Sequence, residues 1–389
     1  MLENGDSEAI GRTTEMRVLL RDRIAVAGGM IGFDEFMRTA LYDPELGYYE
    51  QGTIFGAAGD FVTASELGPL FAQCLATQCV ELFDHIEPAI TEFGAGAGQM
   101  AVDLIKELDR QGVAPERYTI IEPSAGLRTR QQELVESSLA PRLVERFAWR
   151  PSLSGDDCLT GVAIANEVLD ALPAKRFRVL DGGSLVELGV GVEGQDFRWV
   201  EGGVFEPDMT LAAAELPQSA ALGVGFQSEI HTDLCQWMRK LVPADDGCVV
   251  LVCDYGYPAH EYYHPSRRDG TLKCYFKHRL VDDPFAQPGA QDLTVAVNFT
   301  MLANLAFDAG FELAGYTTQA GFLLATGLLE RLDQGVAGEQ RVDSTNEAKR
   351  LILAGEMGET FKVMALSNNC DAHLRGFIND YRHRLAPMA

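Results

Sequence analysis

Three glycines and a handful of carboxylates have types and spacings that suit chemistry. In ITEFGAGAGQMAVDLIKEL, residues 90–108, Gly94, Gly96 and Gly98 alternate with alanines. Nothing larger than a methyl group then separates a ligand from the main-chain N–H groups. A dinucleotide loop wants G-x-G-x-x-G, but the third position here is Gln99, so the match to a pyrophosphate site is imperfect. Glu92, two residues before the first glycine, suits a ligand with an amino or sulfonium cation better than one with two phosphates. S-adenosylmethionine is such a ligand. Taken alone, the loop is as often a plain turn as a ligand site.

Two further acid positions strengthen the reading. Glu122 ends the segment YTIIE, 24 residues after Gly98. An acid at the tip of a second strand can accept both hydrogens of a ribose diol, in NAD and S-adenosylmethionine alike; the bland alternative is a solvated strand end. In IANEVLDALP, Asn166 and Glu167 end another strand-like run. Open α/β sheets bind ligands at the carboxyl ends of their strands, so these groups would face whatever the cofactor reacts with, unless Asn166 merely caps the next helix.

The elements that must position these residues alternate. Strands are expected at Ile90–Phe93, Tyr118–Ile121, Leu143–Phe147 and Gly161–Ala165, with helices between, Met100, Ala101, Leu104, Ile105 and Leu108 sharing one helical face. This pattern predicts a parallel sheet wrapped by helices. The period changes over Lys175–Val200, which reads as an antiparallel meander. A helix is expected over His231–Leu241, and GCVVLVCDYG, residues 247–256, reads as a central strand buried on both faces. A helix over Phe299–Ala309 and late strands in FELAGYTTQ and FKVMALS follow. The resulting division is 1–50, a helical preface; 51–174, the first half of the core; 175–225, the meander; 226–320, the second half with an insertion at 257–294; and 321–389, a helical addition with the last strand and tail.

Composition narrows the partners. The 389 residues are 47% hydrophobic and 23% charged, ordinary for a globular protein. A net charge of −25 opposes binding to a phosphate backbone and suits cationic ligands. No run reaches the ~18 apolar residues of a membrane span. The acidic early sequence resembles neither a secretory signal nor a transit peptide, so a cytoplasmic location is expected. The eight cysteines form no CxxC pair and read as free thiols.

One motif is set aside. HEYYH, His260–His264, fits HExxH letter for letter, but Pro258 and Pro265 flank it, and a residue before proline is pushed out of helical geometry. No metal site is expected there or elsewhere. Arg267, Arg268, Lys273, Lys277 and Arg279 make a basic island in the same insertion, suited to a carboxylate ligand or to the protein's own acids. No GxSxG nucleophile elbow is present.

Blocks in one order through most of the chain carry a more specific signal: YDPELGYY, GDFVTASELGPLFAQ, TEFGAGAGQMAVDLI, IIEPS, NEVLDALP, DYGYP, DGTLKCYFKHR, QDLT and MGETFKVMALS. In these the chain resembles the MidA-like class I methyltransferases, whose mitochondrial member is an arginine methyltransferase of respiratory complex I assembly. The resemblance implies a Rossmann-like, mostly parallel seven-stranded sheet with a helical preface, an inserted β-meander and helical segments. It implies S-adenosylmethionine as cofactor, with Gly94, Gly96 and Gly98 at its methionine part, Glu122 on the ribose, and Gly59, Asp60 and Phe61 closing over it. Asn166 and Glu167 would lie near the transferred methyl. Where relatives often read DITAHVDF this chain has DLTVAVNF, placing Ala296 and Asn298 at the histidine and second acid.

Methylation of a protein side chain in a basic segment, arginine favoured, is the expected activity. Activating a guanidinium needs carboxylates; Glu167, Asp170, Asp254 and Asp292 are available, and Glu167 and Asp292 are the expected pair. The competing expectation is an S-adenosylmethionine-binding assembly factor with little catalysis, and a nicotinamide or flavin oxidoreductase is a distant third.

Overall fold

In the computed structural model, which describes residues 4–50, 63–154, 157–204, 222–277, 279–334 and 339–385, seven strands make the main sheet. They are β1 (Ala89–Phe93), β2 (Arg117–Ile121), β3 (Phe147–Arg150), β4 (Cys158–Asn166), β5 (Val242–Tyr257), β6 (Glu312–Thr318) and β7 (Phe361–Asn368). Their order is β3-β2-β1-β4-β5-β7-β6, and the two-residue strand Val297–Asn298 also pairs with β5. The first five run parallel. β7 is antiparallel to both its neighbours.

Period-two alternation explains why β5 can be apolar throughout. Val249, Leu251 and Cys253 enter one core, while Cys248, Val250 and Val252 enter the core on the opposite face. The helix Gln99–Arg110 lays Met100, Ala101, Leu104, Ile105 and Leu108 into the first core, as its helical spacing predicts. Burying five such side chains contributes on the order of 1.5–3 kcal/mol for each of the larger ones.

A second sheet takes the order Met30–Ile31, Leu185–Glu193, Ala174–Val179, Gln227–His231, with Asp196–Val204 pairing to Leu185–Glu193. A third core joins this sheet to the N-terminal helices Asn4–Val26 and Phe33–Tyr42 through Leu20, Phe33, Phe36, Val190 and Phe197. A three-stranded sheet, Arg279–Val281, Lys273–Phe276 and Asp292–Thr294, lies in the insertion.

Two expected elements differ. Leu143 belongs to a helical turn, Pro141–Val144, and the strand follows at Phe147; proline in the first turn has its φ already set for helix. His231 closes a strand paired with Ala174, and the helix begins at Asp233. Pairing of Gln227–His231 with Ala174–Arg178 overrides the helical reading there. Among the described residues no helix is long and apolar enough to cross a membrane.

Candidate active site

Parallel strands present their carboxyl ends on one edge, and there a cavity of about 390 Å³ is lined by the residues that follow β1, β2 and β4. That volume lies in the range of small-molecule sites. Because β7 is antiparallel, its amino end, with Thr360 and Phe361, reaches the same cavity, as does Tyr255 from β5.

The glycine turn follows β1 directly. Gly94 and Gly96 adopt left-handed φ values of 59° and 53° and line the cavity; the Gly94 N–H donates to the Ile121 carbonyl at 2.9 Å. Gly98, expected at the ligand, instead lies outside the lining. It caps the helix Gln99–Arg110 at φ 87°, and a Cβ there would stand 3.2 Å from Cγ of Gln131. Its missing side chain makes room for Gln131.

Gln131 itself carries no sequence signal of its role beyond its place on the helix Ala125–Ser138. Buried, it donates from Nε2 to the Gly96 carbonyl at 2.9 Å and to Oε2 of Glu122 at 3.3 Å, tying the glycine turn to the acid beyond β2. Gln131→Ala is expected to lower the unfolding free energy by about 1–3 kcal/mol, because a buried acceptor, Glu122, and a partly buried one, the Gly96 carbonyl, lose a donor. An unchanged urea midpoint would show that the tie carries no stability.

Glu122 also accepts from the Ser124 N–H at 3.0 Å. Burial pushes its carboxyl up to about 7, against the Ser124 N–H and Gln131, with the Glu50 charge adding to the rise. Glu92 is buried beside the Tyr118 hydroxyl, which donates to it at 2.5 Å, and burial lifts it to about 7 despite that bond.

β4 ends in the expected pair. Asn166 is buried, and its Oδ1 has no hydrogen-bond partner among the described residues. Glu167 has φ 54°, a left-handed conformation unusual outside glycine and costing on the order of 1–3 kcal/mol. Its N–H donates to the Cys253 carbonyl at 2.8 Å, and its Oε1 accepts from the Ala64 N–H at 2.8 Å. Burial raises this carboxyl to about 8; the Ala64 N–H opposes the rise and the charges of Asp254 and Glu66 add to it.

Asp292 lines the cavity and accepts from the Tyr49 hydroxyl at 3.0 Å and from its neighbour's N–H, that of Leu293, at 2.9 Å. Asp170 lines the same wall. Asp254 does not: its Oδ2 accepts from the N–H groups of Val168, Leu169 and Asp170 at 3.2, 2.8 and 3.3 Å, which holds the turn after Glu167. Among the described lining residues stand seven carboxylates, Glu50, Glu66, Glu92, Glu122, Glu167, Asp170 and Asp292, against Lys240 and Lys273. Such a wall favours cationic ligands.

Gly59, Asp60 and Phe61 lie outside the described residues. Of the basic island only Lys273 lines the cavity; Arg267 lies over the Tyr257 ring at 3.8 Å, and Arg268 donates to the Val224 carbonyl at 3.0 Å. In HEYYH the helix ends at Tyr262, and His264, beyond it, pairs Nδ1 with Ser266 Oγ at 2.7 Å. Ala296 and Asn298 do not line the cavity either; Asn298 caps the helix Phe299–Asp308 through the Met301 N–H at 3.1 Å.

Comparison with known proteins bears on the ligand. The profile of Methyltransf_28, an S-adenosyl-L-methionine-dependent methyltransferase family, matches residues 74–317. The protein arginine methyltransferase NDUFAF7, mitochondrial, of Danio rerio is 26% identical over 377 residues, covering 88% of this chain and 85% of that one. Its Drosophila melanogaster homologue is 26% identical, with 89% and 83% covered. The crystal structure of a COG1565 superfamily member from Burkholderia thailandensis, bound to S-adenosyl-homocysteine, superposes with a TM-score of 0.88 at 35% identity, covering 97% and 98%.

Proposed function

Because the chain belongs to this family of S-adenosyl-L-methionine-dependent methyltransferases, we propose that the group it methylates is the guanidinium of an arginine in a protein partner. The donor supplies an electrophilic methyl group on a sulfonium centre, open to in-line displacement by an aligned nucleophile. The acidic lining and the left-handed glycine turn fit such a ligand. In this reading Glu122 accepts from the ribose hydroxyls, Gly94 and Gly96 lie against the methionine part, and Glu92 supplies compensating negative charge. Gly59, Asp60 and Phe61 cover the cofactor, a role carried only by family resemblance.

The observation that carries the acceptor assignment is Glu167, a carboxyl lifted to about 8 at a strained strand tip inside the cavity. A guanidinium is protonated far above neutral pH and needs a carboxylate to orient it and take its proton. Glu167 serves as that base, with Asn166 beside it and Asp292 orienting the guanidinium. The names of the curated relatives agree with an arginine acceptor. Labelled methyl transfer from S-adenosylmethionine into a cell lysate, followed by hydrolysis and amino-acid analysis, tests the reading. Labelled methylarginine is the expected product; label in any other residue overturns it.

Acid values raised by burial set a pH dependence. Glu92 and Glu122 near 7 and Glu167 near 8 hold protons that the unfolded chain releases near 4.5. The unfolded state binds fewer protons over that interval, so the ligand-free protein loses stability from about pH 4.5 to 8. A sulfonium ligand favours the carboxylates and drives protons off. Affinity for S-adenosylmethionine is expected to rise about tenfold or more from pH 6 to 8, with proton release. Calorimetry in buffers of different ionisation enthalpy reads both; pH-independent affinity without proton release would contradict the assignment.

The division of the chain at residues 50, 174, 225 and 320 is kept as part of the proposal, supported by the change from parallel to antiparallel pairing at Ala174. The cytoplasm is kept as the proposed compartment, supported by eight free cysteines, which fit a reducing environment; the curated relatives carry the word mitochondrial in their own names. Imaging of the tagged protein in its own cells decides between them.

A further inference from the structure

We propose that the cavity wall formed by Asp170, Asp292, Tyr42, Tyr49 and Tyr255 is a receptor for a planar guanidinium, selecting it over ammonium and neutral acceptors. This rests on the protein-arginine reading above and names the residues that would enforce it.

Four distant stretches build the wall. The rings of Tyr42 and Tyr49 stack with centroids 5.4 Å apart at 29°. The Tyr49 hydroxyl donates to Oδ1 of Asp292 at 3.0 Å, and the Tyr42 hydroxyl donates to the carbonyl of Ala171, next to Asp170, at 2.9 Å. Tyr255 comes from the end of β5 and shares a 3.3 Å hydrogen bond with Thr294, two residues beyond Asp292. All five residues line the cavity. Tyrosine hydroxyls thus fix the Asp292 carboxylate and the backbone beside Asp170, while the rings remain as walls.

One observation points to a bound N–H donor. Lys273 places its ammonium 4.9 Å from the centroid of Tyr255, so that ring is already faced by a cation of the chain itself, and the stacked rings of Tyr42 and Tyr49 are left to a guanidinium plane. Asn166 also lines the cavity; it is only 7% exposed, and its Oδ1 has no partner among the described residues. A buried amide oxygen in that state is an acceptor waiting for an N–H donor. Burial, with the charges of Asp254, Asp292 and Glu167 adding, raises the Asp170 carboxyl well above its ordinary value, a rise that a cation bound beside it would oppose.

Guanidinium matches this chemistry better than the alternatives. It offers five N–H donors in one plane, enough for two carboxylates and an amide oxygen, and its flat faces stack on aromatic rings. An ammonium lacks the plane, and a urea lacks the charge.

The test uses the full chain saturated with S-adenosylhomocysteine, titrated calorimetrically with N-ethylguanidinium, n-propylammonium and N-ethylurea. N-ethylguanidinium is expected to bind at least about tenfold more tightly than either analogue, and Asp170→Asn or Asp292→Asn to weaken it by about tenfold, the usual scale for a desolvated charge pair. Tyr49→Phe should weaken it about threefold by releasing Asp292. Affinity for S-adenosylhomocysteine should stay within about twofold in all three, which also reports correct folding; if an aspartate variant fails that check, Tyr49→Phe decides. Absent binding, equal binding of the urea, or indifference to these substitutions overturns the receptor. Guanidinium binding without methylarginine in the lysate would defeat only the reaction assigned above. Methylarginine formation indifferent to Asp170 and Asp292 would defeat only the receptor.

Discussion

Glu167→Gln is expected to slow methyl transfer by about 10²–10⁴-fold, the range for loss of a positioned general base, while affinity for S-adenosylmethionine changes by no more than about threefold. The amide keeps the shape of the side chain and an oxygen for the Ala64 N–H, which Oε1 accepts at 2.8 Å. What it loses is the capacity to take a proton. The wild-type carboxyl, raised to about 8 chiefly by burial, is mostly neutral below that pH and becomes a base above it. The single-turnover rate should therefore climb with pH and level off, with the limb at or below about 8 because the bound sulfonium favours the carboxylate, and that limb should vanish in the variant. Rapid-quench assays from pH 6 to 9 with the acceptor identified from labelled lysate read both effects. A variant that turns over at the wild-type rate removes Glu167 from the chemistry.

How much of this was legible in the sequence depends on the range of the interaction. ITEFGAGAG and YTIIE announce β1, β2 and the acids beyond them because a strand and its tip are local, periodic objects. Locality does not show what packs on Gly98: spacing groups it with Gly94 and Gly96, and the helix Ala125–Ser138 brings Gln131 against it. Tyr42 and Tyr49 stand out only as family letters, because a tyrosine in a turn becomes part of a wall when a fold brings Asp292 to its hydroxyl across 243 residues. Leu143 reads as a strand by its apolar neighbours, and Pro141 overrules them. Such contacts leave no period in the chain, so the donor side was read more fully than the acceptor side.

Asp254 was one of four acids available at the strand ends, and its geometry gives it a different task. It is fully buried, accepts three consecutive N–H groups from Val168 to Asp170 on Oδ2, and takes the Tyr255 N–H on Oδ1 at 2.9 Å. It is a positioning residue, holding Glu167 in its left-handed conformation through the turn that follows. Asp254→Ala orphans four N–H donors and is expected to cost about 3 kcal/mol or more of stability, with loss of transfer. Asp254→Asn separates the electrostatic part from the structural one. The amide retains one acceptor oxygen but removes the negative charge that Asp254, itself lifted to about 7 by burial, carries above that pH and with which it raises both Glu167 and Asp170. Relieved of that neighbour, Glu167 ionises more readily, so the rising limb of the pH–rate profile should shift to lower pH even as the plateau falls. Urea unfolding of both variants and the pH profile of the asparagine variant measure these effects together. A lower plateau with an unmoved limb would mean that Asp254 acts on Glu167 through the backbone alone.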